Sequence, residues 1–197
     1  MALTNTIANQ MLTAIRKLGS KDLGEVLKAL VNGDFFYLGG TEVIATAAEL
    51  NRVADVSTRV VTLTGATTID PALHENKTLL LGEVGGDAAL AVTLPAATGS
   101  GAIYKFVVSV LNTSGYTINK AGSDLFKGMI LSLDNDANAV TGYAAIAAGD
   151  DVVTLNGTTT GGQVGDYLIF EDILAGFWHV RGAVVVPAGS NVADPVS

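Results

Sequence analysis

Two patterns of apolar spacing divide the chain. Over residues 2–32 the apolar positions Ile7, Met11, Ala14, Ile15 and Leu18 fall three and four apart, which predicts one face of a helix. Gly19-Ser20 interrupts that stripe, and Ser20 is placed to cap a second short helix carrying Leu23, Val26, Leu27 and Leu30. Asn32-Gly33 then ends it with residues that tolerate positive φ. Helices this short are marginal in water, so both are expected to pack on the body or on a partner. Residues 34–45 hold three successive aromatics, Phe35, Phe36 and Tyr37, next to Gly39-Gly40, and predict a strand or extended arm. Thr46-Ala47-Ala48-Glu49 fits a capping box that starts a further short helix.

From Thr58 the period changes to two, with β-branched residues prevailing. Strands are expected over residues 60–64, 77–81, 91–94, 103–110, 116–119, 152–155, 167–171, 177–181 and 183–186. Clusters of Gly, Asn and Asp separate them at sandwich-like intervals, with Asn156-Gly157 and Gly161-Gly162 as candidate hairpin corners. No internal repeat of fixed period is apparent. The expected fold is mainly β: an antiparallel β-sandwich or barrel-like domain with a short α-helical N-terminal region. Its parts are a helical region and arm over 1–57, a β-rich body over 58–187, and a loose C-terminal tail over 188–197.

Composition narrows what such a body can do. Cysteine is absent, which removes disulfides, thiolate metal sites and a cysteine nucleophile. Charged residues are only 15 % of the chain, against about 25 % in ordinary domains, so the surface is cheap to desolvate and suited to broad protein contact. The net charge is −8, and residues 61–197 carry all of the excess, with five bases against thirteen acids. Without a basic stripe in the sequence, neither nucleic acid nor a membrane is an expected partner. The first twenty residues lack the basic start of a signal peptide, and no apolar run reaches about 18 residues, so synthesis in a cytoplasm is expected.

Candidate chemistry is sparse. There are two histidines, His74 and His179, too few for a histidine-rich metal site. His179 alternates onto the face shared by Phe177 and Arg181, while His74 follows Asp70-Pro71 in an expected solvated turn. Asp134, Asp136 and Asn138 have the alternate spacing that opens a calcium loop, but Ala139 and Ala145 occupy the positions where an EF-hand needs Gly and Glu. A looser cation site and an Asx-rich surface turn both remain open there. The acidic pairs Asp150-Asp151 and Glu171-Asp172 read as solvated loop acids, since neighbours on a strand point to opposite faces. No nucleophile elbow, P-loop or dinucleotide fingerprint occurs, so neither catalysis nor a cofactor is expected. Trp178, the one tryptophan, is expected as a core or interface anchor.

Three stretches resemble recurring elements of tailed-bacteriophage virion proteins: Ala45-Thr46-Ala47-Ala48-Glu49-Leu50-Asn51 continuing to Asp55-Val56-Ser57, Leu94-Pro95-Ala96-Ala97-Thr98-Gly99-Ser100-Gly101 followed by Tyr104-Lys105-Phe106, and Trp178-His179-Val180-Arg181-Gly182. The resemblance implies a structural protein of the virion, of the head-decoration or head-fibre kind. The function expected from it is a capsid decoration, or cement, protein on the head surface. It would act as a homo-oligomer, a trimer, bridging copies of the major capsid protein. Interface candidates are Ile7, Met11, Ile15, Phe35, Phe36, Tyr37 and Trp178. The alternative is a head- or tail-fibre subunit recognising a host glycan, which predicts exposed aromatics near Trp178 or Tyr143. A third, an enzyme on cell-wall or capsule sugars, predicts two converging carboxylates.

Overall fold

A computed structural model describes residues 36–38, 41–43, 49, 59–82, 90–146 and 150–197 of the chain. It divides into two compact units, Met1–Ala54 and Asp55–Ser197. The first contains a two-stranded antiparallel hairpin, β1 (Phe36–Leu38) with β2 (Thr41–Val43), where the extended arm was expected. Glu49 is helical, while residues 46–48 of the expected capping box and the two helices expected over 2–32 lie outside the described residues.

The second unit is mainly β, in two sheets. One has seven strands in the order β10-β9-β13-β12-β7-β5-β3, the other four in the order β11-β8-β6-β4. In chain order the strands are β3 (Val60–Leu63), β4 (Thr67–Thr68), β5 (Thr78–Leu81), β6 (Leu90–Thr93), β7 (Ile103–Val108) and β8 (Tyr116–Asn119). Then follow β9 (Leu125–Asp134), β10 (Ala139–Ala145), β11 (Val152–Leu155), β12 (Tyr167–Leu174) and β13 (Phe177–Val186). A single-turn helix, α1 (Pro71–His74), is capped by the Asp70 carboxylate accepting from Ala72 N–H.

Both sheets are mixed, which corrects the all-antiparallel expectation. Parallel pairs are β3–β5, β5–β7, β4–β6, β6–β8 and β9–β13. The reason lies in the route of the chain. From β3 to β8 it changes sheet at every strand, so each return to a sheet runs in the same direction as the last visit. The turns stack as a coil, with Val60, Thr78 and Lys105 in one row and Val92 beside Ile118 in another. Connections between these strands differ in length, which is why no sequence repeat marks the coil. Hairpins occur later, at β9–β10 and β12–β13. The loop at Asn156-Gly157 and Gly161-Gly162 joins strands of different sheets, so it is not a hairpin corner.

Between the sheets lies the core. The large sheet contributes Leu79, Tyr104, Phe106, Phe170, Trp178 and Val180, and the small one Leu90, Val92, Tyr116, Ile118, Val153 and Leu155. Tilted and edge-on ring pairs fill its centre: Tyr104 with Trp178 at 5.6 Å, Phe106 with Phe170 at 5.8 Å, and Phe126 with Phe170 at 5.1 Å. Strand β9 runs parallel beside β13 in the same sheet, and at Gly128, opposite Val180, an added Cβ would stand 1.9 Å from the Val180 carbonyl oxygen. Its φ of 146° is a conformation that only glycine adopts freely.

The C-terminal tail is tied down, not loose. Val196 is buried and bridges Val153, the Ser197 N–H donates to Val152 O, and the Pro195 and Ser197 carbonyls accept from Thr154 and Val152. The tail thereby covers the outer edge of β11, an edge that would otherwise present unpaired backbone groups.

Candidate functional site

Buried carboxylates are where chemistry would be sought first, and here they are spent on the backbone. Asp172 lies on β12 at a register shift and is buried, contrary to the expected solvated pair. Alternation sends its neighbour Glu171 to the opposite, outer face, where it pairs with Arg181 at 2.9 Å. Asp172 accepts from the N–H of Thr98 at 3.0 Å, of Gly99 at 2.7 Å and of Ser100 at 3.0 Å. The hydroxyls of Thr98 and Ser100 donate to it as well, at 3.0 and 2.7 Å. Burial pushes this carboxyl up, but the donors from Thr98, Ser100 and Gly99 outweigh it and hold the group down at about 2. Gly99, at φ 81°, gives the loop the bend that aims its N–H groups inward. The Pro95–Gly101 element of the sequence is therefore a clamp around one carboxylate. Asp124, also buried, holds Ala97 N–H at 2.7 Å on the same loop.

Asp166 is a second buried carboxylate, accepting from Gly162 and Gln163 N–H and, through its other oxygen, from Val185 N–H. Burial raises its pKa, opposed by those three donors. Both acids have each oxygen engaged by a donor, although Asp166 lies in the lining of an open groove on the outer face of the large sheet. Among the described residues no cluster of three or more His, Asp or Glu side chains could hold a metal. Asp134 Oδ1 accepts from Asp136 and Ala137 N–H, and Asn138 takes φ 50°, so this stretch forms the turn of the β9–β10 hairpin.

The feature that stands out is the outer face of the seven-stranded sheet. Pairing registers place its side chains in rows. One row runs Val140, Leu133, Val185, and the next runs Leu131, Ala183, Tyr167, Val107, Leu80. Beside them are a row of Met129, Arg181, Ile169 and Lys105, and one of Lys127, His179 and Glu171. The first two rows are apolar and open to water: Leu131 is 39 % exposed, Val140 62 % and the adjoining Val164 65 %. They line an open groove of about 410 Å³ together with Leu133, Tyr167 and Val185. The other two rows are mixed, carrying an exposed Lys105, Lys127 and the Arg181–Glu171 ion pair, with Arg181 3.3 Å from the His179 ring.

Of the residues expected at an interface, Ile7, Met11, Ile15 and Phe35 lie outside the described residues. Phe36 and Tyr37 are placed as backbone in β1. Trp178 is wholly buried against Tyr104, an anchor of the core, so it offers no surface to a partner. Tyr143 is half-buried, and among the side chains described Tyr167 is the one exposed aromatic. His74 is buried at the end of α1 with its Nδ1 within 2.9 Å of Asp70 N, in place of the solvated turn expected of it. The groove residues carried a usable signal: alternation along Met129-Ile130-Leu131-Ser132-Leu133 puts apolar side chains on both faces of a strand, one more face than a single core needs.

Comparison with protein-family models, with curated proteins and with solved structures finds no match to this chain.

Proposed function

We propose that this chain is a structural protein of a tailed-phage particle, a decoration protein that binds the head lattice as a homotrimer and bridges neighbouring major capsid subunits. The observation that carries the reading is the outer face of the large sheet, where apolar side chains stand open to water. Contact proteins need such faces. Enzymes need converging, unspent acids, and the buried ones here are consumed by backbone donors. The three virion-like sequence elements support the same reading. The Pro95–Gly101 element serves as an internal clamp, a building device of the kind a rigid particle component uses. In this reading the N-terminal residues Ile7, Met11, Ile15 and the Phe35-Phe36-Tyr37 arm meet the shell. Many weak contacts then become firm through lattice multiplicity.

Cryo-EM of intact virions tests it. Density for the chain distributed over the head is the expected result, and density confined to the tail tip overturns the proposal in favour of a fibre subunit. Double substitution Phe35→Ala with Phe36→Ala is expected to lower head occupancy while the β-body keeps its fold.

A further inference from the structure

We infer that the open edge of β10 is the place where a second copy of this chain adds its own β10, antiparallel, about a twofold axis through Gly142. The inference is independent of the virion reading, since such a contact joins copies in pairs whatever surface a threefold assembly uses.

The two sheets of the body have four edges, and they are treated unequally. In the small sheet β11 is covered by the tail, and β4 is only two residues long. In the large sheet β3 offers four residues and β10 offers seven. Among the described residues β10 pairs with β9 alone, so the other side of its backbone leaves N–H and C=O groups open to a further strand. Edges that must stay single are guarded by charge, by proline or by a bulge. Ala139–Ala145 contains no charged residue and no proline, and its register with β9 runs without a break. Seven unguarded residues are what strand addition requires.

The same seven residues select the occupant. A charged strand would find no counter-charge on β10, so the strand that fits is uncharged. Among the described strands β10 is itself the longest that is both uncharged and open along one edge. It is also compatible with its own copy. Full antiparallel pairing sets Gly142 against Gly142, Val140 against Ala144, Thr141 against Tyr143 and Ala139 against Ala145 of the second copy. Each larger side chain then meets a smaller one, and no like charges face each other. Tyr143, half-buried beside Ile130 on the inner face, gains cover from Thr141 of the second copy.

A strand edge is a small contact beside the roughly 1,200–2,000 Å² of stable complexes, so it is best read by trapping. The chain has no cysteine, and one introduced thiol reports without background. Gly142→Cys puts the thiol on the axis, where the new Cβ meets the flexible Met129 side chain at 3.3 Å. Val60→Cys, 58 % exposed on the opposite edge strand, is the control. Under mild oxidation of the purified full-length chain, Gly142→Cys is expected to form disulfide-linked dimer about tenfold faster than Val60→Cys. Adding Val140→Lys with Ala144→Lys, at two exposed positions that face each other across the axis, should abolish that excess. Mixing this variant with its Val140→Glu, Ala144→Glu counterpart should restore it, with the circular dichroism of every variant unchanged. Equal rates for Gly142→Cys and Val60→Cys overturn the inference, as does an excess that the paired lysines leave intact or the oppositely charged mixture fails to restore. Gly142→Cys linking to Val60→Cys faster than to itself overturns it too, and assigns the edge to a head-to-tail contact with β3.

Discussion

Ser100 donates twice to one oxygen of Asp172, from its backbone N–H at 3.0 Å and from its hydroxyl at 2.7 Å, across 72 residues of sequence. The pair ties the loop after β6 to the end of β12, and with Thr98 and Gly99 it makes the carboxylate a fixed point between distant parts of the chain.

Loss of that fixed point is expected to be severe. Asp172→Ala leaves three N–H groups and two hydroxyls of the exposed residues 98–100 without their fixed acceptor, and should cost about 2 kcal/mol. Ser100→Ala removes one donor and leaves the others, so about 1 kcal/mol is expected. Urea unfolding at neutral pH measures both, and equal losses for the two variants would show that the carboxylate is not the hub.

Acid should reveal the same carboxylate. Its folded pKa of about 2 lies below the ordinary 3.8, so its stabilisation is present above the unfolded value and is lost as pH falls from about 4 towards 2. Asp166 has the opposite sign: burial raises its pKa, so its ionisation weakens the fold as pH rises through its unfolded value and up to its folded one. Stability curves at pH 2–5 should be steeper for the wild type than for Asp172→Ala, and coincident slopes would refute the assignment.

Two positions on β9 should respond in opposite directions. Gly128→Ala drives a methyl into the Val180 carbonyl and should cost more than about 3 kcal/mol or prevent folding. Ser132 is fully buried, and its hydroxyl has no hydrogen-bond partner among the described residues, so Ser132→Ala should be neutral or stabilising by up to about 1 kcal/mol. Thermal melts of the two variants provide the check.

Removal of residues 194–197 strips the outer edge of β11 of its backbone partners, leaving its pairing with β8, and uncovers Val153. A fall in Tm of roughly 4–8 °C is expected, on about 2 kcal/mol lost in a body of this size, together with concentration-dependent aggregation through the bared edge. A truncated chain that melts like the whole one would mean that the tail contributes nothing to the body.

How much of this was legible beforehand differs from element to element. Strands β8 and β11 are found at the bounds that alternation predicted, because each half-buried strand writes its own period of two. Strands β9 and β10 carry no such period: β9 has apolar side chains on its exposed face as well as its buried one, and β10, at the sheet edge, is exposed along most of its length.

Period, cysteine count and charge budget belong to the sequence alone, because each is a property of local spacing or of a sum. They determined a mainly β body, an interior without staples, and a charge-poor acidic surface. Pairing, direction and neighbourhood belong to the tertiary structure. It decided that the sheets are mixed, because a strand's period is the same whichever way its neighbour runs and whichever sheet the chain visits next. It decided also that Lys105, Lys127 and Arg181 share a face and that Asp172 is enclosed by residues 98–100, since contacts across 20 to 75 positions of chain leave no mark on local spacing.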